Sequence, residues 1–167
     1  MKIVRFMAEG KEHYGVMEDN NVVSITEIMH FTQRVFPQTI EELISKKLEA
    51  LSDVEAALKS LDIKAKEAST YKLNEIELLA PIRNPPKIIC LGLNYYDHAA
   101  EQDAKIPEEP IIFFKPRTTI TDPNKPIIKP KFVKKLDYEA ELAIVIGKGK
   151  KHTNNSSKTP HFRIHNS

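Results

Sequence analysis

Tryptophan is absent, cysteine occurs once, glycine only five times, and no acidic residue follows Glu141. The lone Cys90 rules out an internal disulfide framework. It sits in the apolar run Ile88-Ile89-Cys90-Leu91 and reads as a buried strand residue, not a nucleophile, since no electropositive helix start stands beside it to stabilise a thiolate. No apolar run approaches the ~18 residues that a membrane span requires. The opening Met1-Lys2-Ile3-Val4-Arg5-Phe6 turns polar too early for a secretory signal. The expectation is a soluble, cytoplasmic chain with no membrane partner.

What is present has a globular composition, 41% hydrophobic and 29% charged over 167 residues, long enough for one solid domain or two small ones. The net charge of +2 argues neither for nor against nucleic acid. Its distribution says more. Residues 1–80 hold 10 Lys/Arg against 14 Asp/Glu, net −4, and residues 81–167 hold 15 against 9, net +6. A basic C-terminal half suits an anionic substrate and equally a solvated surface. Lys125, Lys129, Lys131, Lys134 and Lys135 would serve a phosphate-binding module, but no nucleic-acid motif accompanies them and few aromatics interleave, so nucleic acid is not expected as a partner.

The pattern predicts a mixed α+β, β-rich chain. Lys2–Met7, His13–Met17 and Val22–Ile25 read as a small antiparallel meander, turning near Gly10 and at Glu18-Asp19-Asn20-Asn21. Residues 39–60 read as helical, opened by the capping box Thr39-Ile40-Glu41-Glu42 and repeating the cap signal at Ser52-Asp53-Val54-Glu55, so one helix or two. Glu75–Leu79 reads as a strand. Pro81, Pro85 and Pro86 then place a domain boundary near 80–86. Beyond it come a strand over Lys87–Gly92, a helix from Asn94 to about Gln102 with Asn94 as N-cap, a strand over Ile111–Lys115 and a long strand over Asp137–Gly147. Residues 151–167 turn polar and are expected to be disordered.

Three constellations carry chemistry. Glu139 and Glu141, two apart on a strand, point to one face at roughly 7 Å between Cα atoms, with Asp137 on the same face. Two carboxylates running into a core repel each other and lose hydration unless a cation compensates. Hard oxygen donors suit Mg²⁺ or Mn²⁺; the same pattern also makes a solvated face paired with Lys134 or Lys135. His98 and Glu101, i and i+3 on the helix, are side-chain neighbours. A carboxylate beside an imidazole fixes its tautomer and strengthens it as a general base, although an ordinary surface pair has the same spacing. Lys115 ends an apolar strand and can meet a substrate carboxylate, or simply snorkel. His161 and His165, i and i+4, lie where nothing favours a helix and are not read as a metal site.

Together these residues resemble the fumarylacetoacetate hydrolase superfamily. The resemblance covers roughly residues 80–150 and rests on Lys87-Ile88-Ile89-Cys90-Leu91-Gly92-Leu93-Asn94-Tyr95, on His98-Ala99-Ala100-Glu101, on Pro107-Glu108-Glu109-Pro110-Ile111-Ile112-Phe113-Phe114-Lys115-Pro116, and on Asp137-Tyr138-Glu139-Ala140-Glu141-Leu142 through Lys148. It implies a small N-terminal domain over 1–80, the first part of a mixed β-roll over 81–150, and a divalent cation. Glu139 and Glu141 match two metal ligands, His98 and Glu101 the pair that activates water, and Lys115 a lysine of the family pattern. The implied substrate is a small 2-oxo or 1,3-dicarbonyl carboxylate. The implied reaction is C–C hydrolysis or isomerisation, with the cation stabilising an enolate. A homodimer is expected for full-length members.

One departure shapes the expectation. The family pattern continues well past this strand to a third acidic ligand, and residues 151–167 contain no acid. Their abrupt polarity reads as an out-of-frame stretch, so the chain is expected to be a truncated member, inactive by itself. A non-catalytic fragment is the alternative to the enzyme, and a basic phosphate-binding module a more distant one.

Overall fold

Alternating apolar residues and two tight turns build a sheet at the start of the chain. The structure, a computed structural model, describes residues 1–147 and 161–164. Strands β1 (Lys2–Ala8), β2 (Lys11–Glu18) and β3 (Asn21–Ser24) form the meander. The β1–β2 loop is Glu9-Gly10, both at positive φ (49° and 74°), which gives a two-residue turn whose twist matches that of the strands. Phe6 then stands opposite His13, and Arg5 opposite Tyr14. Strand β4 (Thr70–Lys72) adds to β3, and β5 (Glu77–Leu79) adds to β1, giving the order β4-β3-β2-β1-β5. The expected strand Glu75–Leu79 starts two residues late because Leu73–Glu75 is a 3-10 turn.

Four helices cover this sheet's sequence interval: α1 (Ile25–Thr32), α2 (Ile40–Ser45), α3 (Lys47–Ser60) and α4 (Ile63–Ala68). The Thr39 cap forms as expected, its hydroxyl accepting from Glu42 N–H at 3.2 Å. The Glu42 carboxylate accepts from Gln38 N–H at 2.8 Å. The helix break falls at Lys46, not at Ser52. Helices α1 and α4 form where the sequence pattern predicts none, and β3 stops at Ser24 because that residue becomes the N-cap of α1. The core comprises Phe6, Val22, Val23, Ile25, Ile28, Leu43 and Val54, all fully buried, each contributing about 1.5–3 kcal/mol by leaving water. His13 stacks on Phe6 with ring centroids 5.3 Å apart.

The chain divides into two compact units: residues 1–81 with the described residues from Asp122 onward, and residues 82–121. The second contains β6 (Ile88–Gly92), α5 (Tyr96–Glu101) and β7 (Ile111–Lys115). β6 and β7 pair antiparallel. Only Ala99 is buried within this unit. In the first unit, Asp122 returns to the sheet by accepting from Ala80 N–H at 2.7 Å, and Lys125 reaches Glu77 at 2.5 Å. Glu77 thereby raises the Lys125 pKa.

The long strand expected over Asp137–Gly147 is corrected to β8 (Ala143–Ile146), pairing antiparallel with β9 (His161–Ile164). Residues 137–142 form no ladder. One reason is local: the Asp137 carboxylate accepts from Tyr138 N–H at 2.9 Å, a side-chain bond that competes with sheet pairing. Of the tail 151–167, the described residues are His161–Ile164, which form β9; the rest, His165 included, lies outside the described residues. The fold class is mixed α+β with antiparallel sheets.

Candidate active site

Helix α5 positions His98 and Glu101. Its two alanines favour helix, and Ala99, 2% exposed, anchors it. Asn94 is not its N-cap: Tyr95 holds that position without a side-chain bond. The tight turn after Gly92 is made by Leu93, at φ 51°. His98 and Glu101 lie on one helix, both exposed, but the imidazole does not bond to Glu101. Its Nε2 lies 3.1 Å from the amide nitrogen of Gln102 instead. Gln102 is the residue that spacing arguments passed over; its signal is the i,i+4 distance from His98.

Lys115 ends β7 opposite Ile88. Its ammonium stands 5.9 Å from the Phe113 ring centroid, an aromatic contact that holds the charge over the hairpin. His98, Glu101 and Lys115 therefore share the 82–121 unit, while Glu139 and Glu141 belong to the other. Glu139 is exposed and Glu141 half-buried, both on the irregular stretch before β8. Their common strand face is not formed, because 137–142 is not a strand.

The resemblance implies a divalent cation. Glu139 and Glu141 are hard carboxylate donors, and Mg²⁺ is commonly held by one or two carboxylates with water and substrate completing the shell. Among the described residues no group of three or more His, Cys, Asp or Glu side chains is gathered to hold a metal ion. The two carboxylates fit the ion in kind, but the irregular stretch that carries them forms no common face for it.

Comparison with known proteins matches this arrangement to a class. Residues 87–160 match the family model described as fumarylacetoacetate (FAA) hydrolase C-terminal, and residues 1–55 match that described as Rv2993c-like, N-terminal. The mitochondrial oxaloacetate tautomerase Fahd2a of Rattus norvegicus is 34% identical over 152 residues, covering 91% of this chain and 47% of that protein. The mitochondrial oxaloacetate tautomerase fahd2 of Xenopus laevis is 49% identical over 88 residues, covering 53% of this chain and 28% of its own. Among solved structures, the fumarylacetoacetate hydrolase of psychrophilic Exiguobacterium antarcticum superposes with a TM-score of 0.63 at 29% identity, over 92% of this chain and 50% of that one. The fold is thus that of fumarylacetoacetate hydrolase-type proteins. The chain belongs to the fumarylacetoacetate hydrolase superfamily and spans about half the length of these two more extensively matched relatives. Among the described residues no helix is long and apolar enough to cross a membrane.

Proposed function

We propose that the chain carries part of the machinery of an enzyme that interconverts or cleaves a small 2-oxo or 1,3-dicarbonyl carboxylate, with oxaloacetate as the first substrate to test. The observation that carries the reading is the family match over residues 87–160, which contains His98-x-x-Glu101 and Glu139-x-Glu141 together. The named activity of the tautomerase relatives supplies the substrate class.

The chemistry asked of the residues is proton transfer. His98 takes a proton from the carbon between the two carbonyl groups, or from an attacking water, and returns it to oxygen or carbon. Glu101 stabilises the charged imidazole that results. Lys115 meets the substrate carboxylate. Glu139 and Glu141 would hold Mg²⁺ or Mn²⁺, whose charge favours an enolate over its parent ketone.

A specific observation also favours a second reading, in which this chain alone does not turn over. One face of the β6–β7 hairpin, which ends in Lys115, exposes Ile89 (57%), Leu91 (40%), Ile112 (58%) and Phe114 (64%). Enolate chemistry needs a site that excludes water, and an apolar face open to solvent is the opposite arrangement.

Keto–enol interconversion of oxaloacetate, followed by ultraviolet absorbance with added Mg²⁺ and then with chelator, separates the two readings. Activity that is lost on chelation, falls about 10²–10⁴-fold in His98→Ala and is abolished in Glu139→Ala supports the enzyme. Absence of turnover with folded protein supports the second reading. Turnover indifferent to chelator and to His98→Ala would sink the mechanism.

A further inference from the structure

His98 sits in the last turn of a helix whose end is closed by its own backbone. Ala104 N–H donates to the Ala99 carbonyl at 2.9 Å, and Asp103 N–H to the Ala100 carbonyl at 3.1 Å. Asp103 adopts left-handed φ, 50°. These are the two hydrogen bonds of a Schellman closure. Gln102 is the C-cap of that closure, at φ −95° and ψ 4°, and Ala99, whose carbonyl accepts the first of these bonds, is buried. The backbone therefore fixes Gln102 one turn beyond His98, where i,i+4 side chains meet.

The contact has a direction. Gln102 turns its amide nitrogen, not its oxygen, to His98 Nε2 at 3.1 Å. An amide nitrogen only donates, so Nε2 accepts, and a neutral imidazole that accepts at Nε2 carries its proton on Nδ1. A free histidine side chain favours the other tautomer. A carboxylate at this place would likewise select the other one, because it accepts only.

We propose that Gln102 is a positioning residue that holds His98 in the Nδ1–H tautomer and keeps Nε2 as the proton-accepting atom. Its bearing on catalysis rests on the reading of His98 as the base; the tautomer itself does not. The substrate proton arrives at Nε2, and the amide gives way to it.

The test is the long-range ¹H–¹⁵N correlation spectrum of the histidine rings in the full ¹⁵N-labelled chain, in mildly alkaline buffer. His98→Asn identifies the signals. Wild type is expected to show a protonated Nδ1 and an unprotonated Nε2. Gln102→Ala and Gln102→Met, which keep a helix-compatible side chain without the amide, are expected to invert the dominant form to Nε2–H, and Gln102→Glu to do so as well. A wild-type His98 that is mainly Nε2–H overturns the proposal, as does a tautomer unchanged in all three variants with the Ala99 amide signal unmoved. An inverted tautomer with unaltered turnover would uphold the positioning and remove His98 from the mechanism, so the two readings fail separately.

Discussion

Ser24 is fully buried, and its one hydroxyl serves two elements. It accepts from Glu27 N–H at 3.2 Å, capping α1, and lies 3.2 Å from His13 Nδ1. Ser24→Ala removes a helix cap, worth about 1 kcal/mol, and strands a buried imidazole nitrogen, worth about 1–3 kcal/mol. We expect a loss of roughly 2–4 kcal/mol by urea unfolding of the N-terminal region, and a loss under about 0.5 kcal/mol would contradict the double role. Tyr14 makes the pH-sensitive counterpart. Its hydroxyl donates to the Pro37 carbonyl. Burial, and then Glu42, push the phenol pKa above its ordinary 10.0. Burial, followed by Glu27 and Glu9, shifts Tyr71 the same way. The folded chain thus holds these protons where the unfolded chain releases them. Stability is fully present below pH 10.0 and falls as pH rises above it. Tyr14→Phe should be about 1 kcal/mol less stable at neutral pH, and the gap should close in alkaline melts. A gap that widens above pH 10.0 would reverse the sign.

Among the elements, the β6–β7 hairpin has the least cover. Its register pairs Ile89 with Phe114 and Leu91 with Ile112 on one face, all four substantially exposed. Two-stranded ribbons are marginal without a covering layer, and exposed apolar strands invite association. The double variant Ile112→Ser, Phe114→Ser should abolish most of the fluorescence enhancement of a hydrophobic dye while leaving the unfolding midpoint of the N-terminal sheet within about 0.5 kcal/mol, as for other surface changes. Undiminished dye binding would place the sticky surface elsewhere. Both strands of this ribbon were legible in the sequence, as Lys87–Gly92 and Ile111–Lys115, because each is an apolar run bounded by proline or glycine; their pairing was not. Asp137–Gly147 was not, although its alternation is as clear. A strand requires partners as well as pattern, and only Ala143–Ile146 finds one, in β9. Helix α1 carried a readable Ser24-x-x-Glu27 box, but it was obscured by the β-branched residues Val22, Val23 and Ile25. At the site, spacing placed His98 and Glu101 on one helix, where the structure has them. Which partner the imidazole takes depends on rotamers and on a helix end, and those go to Gln102.

For the whole molecule, burial is distributed as unevenly as charge. Within residues 1–80, β1, β2 and β3 interleave with α1, α2 and α3 around Phe6, Val22, Ile25, Ile28, Leu43 and Val54. Within residues 82–121 one side chain, Ala99, is buried. Since a stable unit needs enough apolar burial to offset the ordering of its backbone, the two stretches cannot be equally stable. Local opening should span nearly the full range, from free fraying to global unfolding. Hydrogen exchange resolves this directly. Amides in β1, β2 and β3 should exchange only through global unfolding, with protection that tracks urea stability. Those of β6 and β7, hydrogen-bonded to each other though they are, should exchange through local opening, orders of magnitude faster and independent of urea at low concentration. Protease should accordingly cut first between residues 82 and 121 and leave the N-terminal sheet intact. Equal protection of Phe6 and Phe113 amides would mean that the hairpin draws stability from burial it does not show, and would remove the open apolar face as a ground for doubting catalysis by this chain.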